Sequence, residues 1–157
     1  MQWAEVLADR SLKDLPYKIE LDKWGNVVMS PASNRHGRTK GQLATSLDHM
    51  PTGIALVNAV VATREGVKVA DVAWCSDTFF DHFGYETPYP RAPEICVEVR
   101  SPSNSEEELR FKTRLYLEAG AREVWIVLET GEARFFGAEG ERTQSEYGLD
   151  PRPLLNH

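Results

Sequence analysis

The chain has few cysteines, no long apolar run and no excess of positive charge. Cys75 and Cys96 lie in apolar segments without CxxC or Cys/His spacing, which argues against a disulfide framework or a zinc site. No apolar run is long enough to span a bilayer. Residues 1–15 also lack the apolar stretch and cleavage site of a secretory signal. We therefore expect a cytoplasmic protein with buried free thiols and no membrane partner.

The formal net charge is -6. Proteins that coat nucleic acid nonspecifically neutralise phosphates with lysine and arginine, so this charge argues against that class. It does not exclude an enzyme, because carboxylates that bind a metal count as negative. The segment holding Arg35, His36, Arg38 and Lys40 is locally basic. It is either a patch that faces phosphate or the solvated start of a helix.

The 157 residues suit one domain with an ordinary globular composition, 41% hydrophobic and 27% charged. We expect a single domain over residues 1–157, with a loosely held polar tail over about 139–157. Periodicity predicts helices over 3–13, from His36 to just before Pro51, within 76–92 and over 105–119. It predicts strands over 17–22, 27–29, 54–61, 67–74, 94–100 and 123–128, and a final edge strand over 133–136.

Two acids lie in segments predicted to be neighbouring strands. Glu98 points away from the apolar face of strand 94–100, so on this strand alone a solvent-facing glutamate is the simpler interpretation. Asp71 lies in the run VADVA, which is apolar on both faces. An aspartate there is costly to bury unless it has a partner such as a cation. Asp71 therefore favours a functional pair of carboxylates.

A lysine follows on the next predicted helix. Ser103 is a candidate N-cap, with Glu106 three residues later as in a capping box. Lys112 lies on the apolar face of this helix, where it either extends its amine to the core boundary, paired with Glu108, or serves a site. Carboxylates that hold a hard divalent cation, with a lysine that orients water or offsets charge, are typical of a metal-dependent nuclease.

Four segments carry a resemblance to a known family: YKIELDKWGNVVMSPASNRHG, VADVAW, APEICVEVRSPSNS and KTRLYLEAGAREVWIV. With these, from about Leu15 to Phe136, the chain resembles the Uma-two family of bacterial endonucleases with the restriction-endonuclease-like fold. The resemblance implies an α/β (α+β) fold with a mixed central sheet flanked by helices. It also implies a Mg²⁺ or Mn²⁺ ion on Asp71 and Glu98, with Lys112 as the catalytic amine.

The resemblance adds Glu20 and His36 as further site residues. Glu20 would complete the metal shell or bind a second ion, although a solvated strand face also explains it. Most related nucleases carry the lysine two residues after the acid, where this chain has Arg100. The chain also has Leu128 where the family commonly has an aspartate after the WIV-like strand.

The function we expect is metal-dependent hydrolysis of DNA phosphodiester bonds, with Arg35, His36 and Lys40 touching the DNA backbone. A catalytically silent nuclease-fold module that binds nucleic acid or a protein partner is the alternative. A third possibility is an interaction protein whose carboxylates merely line a surface. A homodimer is possible, because enzymes that cut both strands often pair about a two-fold axis. Strand 133–136 or the aromatic segment 74–89 would supply its interface.

Overall fold

The structure is a computed structural model that describes residues 1–101 and 104–155. Its helices are α1 (Trp3–Ala8), α2 (Asn34–Asp48), α3 (Asp77–Phe83) and α4 (Glu106–Glu118), and short 3-10 helices cover Arg10–Leu12 and Arg152–Leu154. Its strands are β1 (Tyr17–Leu21), β2 (Val27–Pro31), β3 (Gly53–Thr63), β4 (Gly66–Ser76), β5 (Ile95–Arg100), β6 (Glu123–Leu128), β7 (Ala133–Gly137) and β8 (Gly140–Arg142).

A mixed sheet of six strands runs through the centre in the order β3-β4-β5-β6-β7-β8. Only β5 and β6 pair in parallel, and α4 makes the crossover between them, as parallel neighbours require. β1 and β2 form a separate antiparallel hairpin. The predicted mixed sheet flanked by helices is therefore confirmed.

Helices cover both faces of this sheet. Residues of β5 alternate between two cores, with Val97 in the core that contains Leu43 of α2 and Cys96 in the core that contains Tyr116 of α4. Both cysteines are buried and free. Glu98 follows Cys96 on the α4 side. A face that alternation alone assigned to solvent is thus covered by a helix.

Two helices differ from the prediction. The helix expected over 3–13 is interrupted at Asp9, whose carboxylate accepts a hydrogen bond from the Ser11 N–H and begins the 3-10 helix. The N-cap of α4 is Ser105, which accepts from the Glu108 N–H. The predicted cap, Ser103, lies outside the described residues. No helix in the described part of the chain is long and apolar enough to cross a membrane.

The described part of the segment after β7, as far as Leu155, contacts the rest of the fold. β8 pairs with Phe135–Gly137 of β7, so the prediction of residues 133–136 as the edge strand is wrong, and β8 lies at the edge of the sheet. Glu123 at the start of β6 is fully buried and accepts from the Trp125 indole, the Ser145 hydroxyl and the Glu146 N–H. Leu155 is buried in the core on the α2 side. The segment is polar in sequence because residues such as Ser145 and Glu146 bind a buried carboxylate and do not form an apolar pattern.

Glu123→Ala should lower the free energy of unfolding by about 3 kcal/mol, because several buried donors lose their acceptor together. Urea denaturation at equilibrium measures this. Glu139→Ala is the matched control, since Glu139 pairs with the same Arg142 as Glu123 but lies in solvent. An equal shift of the two denaturation midpoints would contradict the anchoring role of Glu123.

Candidate active site

The site lies where two central strands part. The pairing of β4 with β5 ends at Val72 and Val97, and Asp71 and Glu98 are the next residues in this register. The two acids are only 1% and 3% exposed. The Val99 N–H donates to Asp71 Oδ2 across the gap at 2.8 Å. The end of the ladder therefore leaves two neighbouring buried carboxylates directed at the same space.

A lysine from the β1 strand lies between them. The Nζ of Lys18 donates to Asp71 Oδ1 and Glu98 Oε2, each at 3.1 Å, and to the Val69 carbonyl oxygen at 3.0 Å. Burial of Asp71 requires a partner for its charge, and the ammonium group of Lys18 is one such partner. Sequence reasoning missed Lys18. The available signal was its period-two spacing from Glu20, which places both side chains on one face of β1.

Glu20 and Lys112 complete the cluster. Lys112 Nζ donates to Glu20 Oε2 at 2.8 Å and lies 3.4 Å from Glu98 Oε1, so it turns inward instead of pairing with Glu108. Glu20 is 4% exposed and also accepts from the Val69 N–H at 2.7 Å. The interpretation of Glu20 as a solvated strand residue is therefore wrong.

Glu98 also accepts a hydrogen bond from a residue other than the two lysines. The Tyr116 hydroxyl of α4 donates to Glu98 Oε1 at 2.8 Å. Each of the two central acids thus has one oxygen held by a neutral donor of the fold and the other directed at Lys18. Such support fixes the orientation of a carboxylate before any ligand arrives.

The basic segment of α2 divides into two faces. His36 Nε2 lies 3.4 Å from Asp71 Oδ1, and Lys40 Nζ lies 4.0 Å from the same oxygen and donates to the Asn58 side chain at 2.7 Å. Arg35 is exposed and does not line the cavity described below. The structure thus brings His36 and Lys40 to the acids, and it leaves Arg35 outside them.

Sequence reasoning also missed Glu129, directly after β6. Its Oε1 lies 4.0 Å from His36 Nδ1. Both atoms are buried without a hydrogen-bond partner in the described part of the chain. His36 therefore lies between two acids, Asp71 and Glu129. An acid directly after a buried strand was the signal available for it.

Burial and charge act in opposite directions on these groups. Burial alone would raise the pKa of Asp71, but the His36 hydrogen bond, the Lys18 charge and the Val99 N–H hold it well below its usual range. Burial raises the pKa of Glu98 despite the nearby Lys112 and Lys18. Burial would lower the pKa of Lys18, yet Glu98 and Asp71 raise it well above its usual value. Lys18 therefore stays charged.

A cavity of about 650 Å³ connects these groups to solvent. Its floor includes Lys18, Glu20, His36, Asp71, Glu98 and Lys112. Apolar side chains of the β1–β2 hairpin, among them the exposed Tyr17 and Met29, line its mouth. The acids are thus buried in the fold but accessible to a ligand. This excludes the possibility that they merely line an outer surface.

The donor set can be compared with the needs of a hard divalent cation. Among residues 1–101 and 104–155, no three or more His, Cys, Asp or Glu side chains form a ready metal cluster. Asp71, Glu98 and the Val69 carbonyl nevertheless converge on one cationic atom, and Mg²⁺ is often held by one or two carboxylates with water completing the shell. The residues fit such an ion once Lys18 moves away. Glu20 binds Lys112 and the Val69 N–H instead.

Two comparisons with known proteins show what this chain is similar to. The chain is similar to a crystal structure from Anabaena variabilis described as "a putative nuclease belonging to DUF820", with a TM-score of 0.75 and 13% identity over 99% of this chain and 97% of that one. At this identity the likeness shows only that the two chains share a fold. Residues 10–155 match Uma2, described as "Putative restriction endonuclease", and the chain belongs to this family. No protein with a curated description matches the chain.

Proposed function

We propose that the protein is an endonuclease that hydrolyses DNA phosphodiester bonds and depends on Mg²⁺ or Mn²⁺. One observation carries the proposal: the buried carboxylates of Asp71 and Glu98 converge on a single cationic position at the floor of an open cavity. A buried pair of acids needs a cation there. Membership of the Uma2 family, described as "Putative restriction endonuclease", supports the same class of reaction.

In this proposal Asp71 and Glu98 hold the ion, and the Val99 N–H and Tyr116 hydroxyl keep their carboxylates in place. The bound ion would polarise the phosphate and lower the pKa of the attacking water. Lys112 would orient that water or stabilise developing charge from the same cavity. Glu20 positions Lys112 and would bind metal only if the lysine released it.

The DNA backbone would be contacted from α2. His36 and Lys40 line the cavity next to Asp71, so they are proposed to bind phosphate. Arg35 lies one residue away on the exposed side of the helix, where only a longer stretch of backbone would reach it. A homodimer remains part of the proposal for cutting both strands, and sedimentation velocity would measure it.

One observation favours the catalytically silent module as a second candidate. Lys18 already balances Asp71 and Glu98, so the acids need no metal to be satisfied. A nuclease fold of that kind would bind nucleic acid or a partner without cutting. Calorimetric titration with Mn²⁺ separates the two candidates, because the silent module is expected to release no heat of metal binding.

The test is cleavage of supercoiled and single-stranded DNA in Mg²⁺, Mn²⁺ or chelator. We expect cleavage with either ion and none with chelator, because the carboxylates act only through the cation. Glu98→Ala, purified identically, controls for contaminating nuclease. Cleavage that survives chelator, or that Glu98→Ala retains in full, would contradict the proposed function.

A further inference from the structure

We propose that Lys18 competes with the divalent cation for Asp71 and Glu98, so that the site exists in a lysine-held form and a metal-held form. This inference rests on the proposed function and concerns how that same site is controlled. The contacts of Lys18 with Asp71 and Glu98 define the lysine-held form. Metal binding would then be an exchange of one cation for another, not the filling of a vacant site.

The contacts of Lys18 support the exchange. Its ammonium makes three contacts of 3.0–3.1 Å, and their acceptors are the oxygens that would bind a hard cation: Asp71 Oδ1, Glu98 Oε2 and the Val69 carbonyl. The other basic groups nearby are placed differently. Lys112 is closer to Glu20 than to Glu98, and Lys40 lies 4.0 Å from Asp71. Lys18 alone among these three lysines joins both acids.

Electrostatics makes the two forms mutually exclusive. A divalent ion within coordination distance of Asp71 and Glu98 would lie at the position that the Lys18 ammonium holds, and like charges in a low-dielectric site repel strongly. The lysine stem is flexible and Lys18 lines the open cavity, so its ammonium can swing away from the acids into that space. There it would face the phosphate of a bound DNA strand. The lysine-held form keeps the acids paired until the metal arrives.

Calorimetric titration of Mn²⁺ into the full chain tests this, with the parent, Lys18→Met and Lys23→Met compared. Methionine keeps most of the length of the lysine stem and removes its charge. We expect Lys18→Met to bind Mn²⁺ at least roughly tenfold more tightly than the parent, because the competing cation is gone. Lys23→Met removes one positive charge from the exposed turn between β1 and β2, outside the cavity, so its Mn²⁺ affinity should change by less than about threefold.

The outcomes separate this inference from the proposed function. Equal Mn²⁺ affinity in the parent and Lys18→Met overturns the competition and leaves a metal-dependent enzyme standing. An equal gain in Lys23→Met also overturns it, because the effect would then be one of the overall charge of the protein. Absence of binding by both folded proteins overturns the competition and the metal-dependent function together.

A second measurement uses the parent alone and does not depend on the folding of a variant. Acetylation of lysines by an amine-reactive reagent is followed at each residue by mass spectrometry, with and without saturating Mn²⁺. Lys18 is expected to react several times faster with the ion, because the exchange releases its ammonium into the cavity. Binding of Mn²⁺ with unchanged labelling of Lys18 would refute the exchange.

Discussion

Asp71→Asn and Glu98→Gln should each lower the rate of metal-dependent DNA cleavage by more than about 100-fold while the protein stays folded. Loss of a group that only supports a metal ligand already costs about 10–100-fold, and these substitutions remove a negative oxygen from the ligand itself. Both amides keep the shape of the side chain. Asparagine can still accept from the Val99 N–H, and glutamine can still accept from the Tyr116 hydroxyl.

Initial rates of plasmid nicking measure this effect, and thermal unfolding confirms the fold. Glu94→Gln is the matched control. It makes the same chemical change just before β5, where Glu94 accepts from the Ser76 N–H and hydroxyl at the start of α3, away from the cavity floor. Its cleavage rate should equal that of the parent. Full cleavage by Asp71→Asn or Glu98→Gln would place the reaction elsewhere in the molecule.

Local periodicity was enough to predict most of the sheet. The predicted strand over 123–128 has the bounds of β6, and those over 94–100 and 133–136 differ from β5 and β7 by one residue each. β5 and β6 are rich in β-branched residues and β7 contains two phenylalanines, and both residue types are enriched in strands. The hairpin of β3 and β4 was also predicted, although both strands are longer than the sequence indicated.

Asp71 shows what a single residue type can predict. A carboxylate within a strand that is apolar on both faces must have a partner, and the structure provides three: Lys18, His36 and the Val99 N–H. The need for a partner follows from the cost of burying a charge. The identity of that partner does not follow from the sequence. Lys18 is separated from Asp71 by 53 positions and reaches it only because β1 packs against β4.

Glu98 shows what the alternation of apolar and polar residues in a strand cannot predict. Period two assigned its face correctly, but a strand pattern cannot say whether water or a helix covers that face. Here α4 covers it and brings Tyr116 and Lys112 to the carboxylate. The packed segment after β7 was missed for a similar reason. This segment is held by Glu123, a buried carboxylate. The polar residues that donate to Glu123 are typical of a loop, so the sequence alone does not reveal these contacts.

Lys112→Met should lower the cleavage rate by about 10²–10³-fold without weakening Mn²⁺ binding. Lysine placed at the cavity can orient water or stabilise charge that develops in the transition state, and loss of one such preorganised donor has effects of this size. The carboxylates of Asp71 and Glu98 remain, and the loss of a neighbouring positive charge favours a cation there. Cleavage rates at saturating Mn²⁺, with calorimetry for affinity, separate catalysis from metal binding.

Arg114→Met is the matched control for Lys112→Met, because it removes one positive charge from the exposed side of the same helix. It should cleave at the parent rate, and Lys112→Arg should recover only part of the loss because guanidinium differs from ammonium in shape and donor geometry. If Lys112→Met lost Mn²⁺ binding together with cleavage, Lys112 would act by holding Glu20 and Glu98 for the ion. If it cleaved normally, the lysine would serve the fold alone, and the ammonium of Lys18, which contacts both Asp71 and Glu98, would be the one to examine in catalysis.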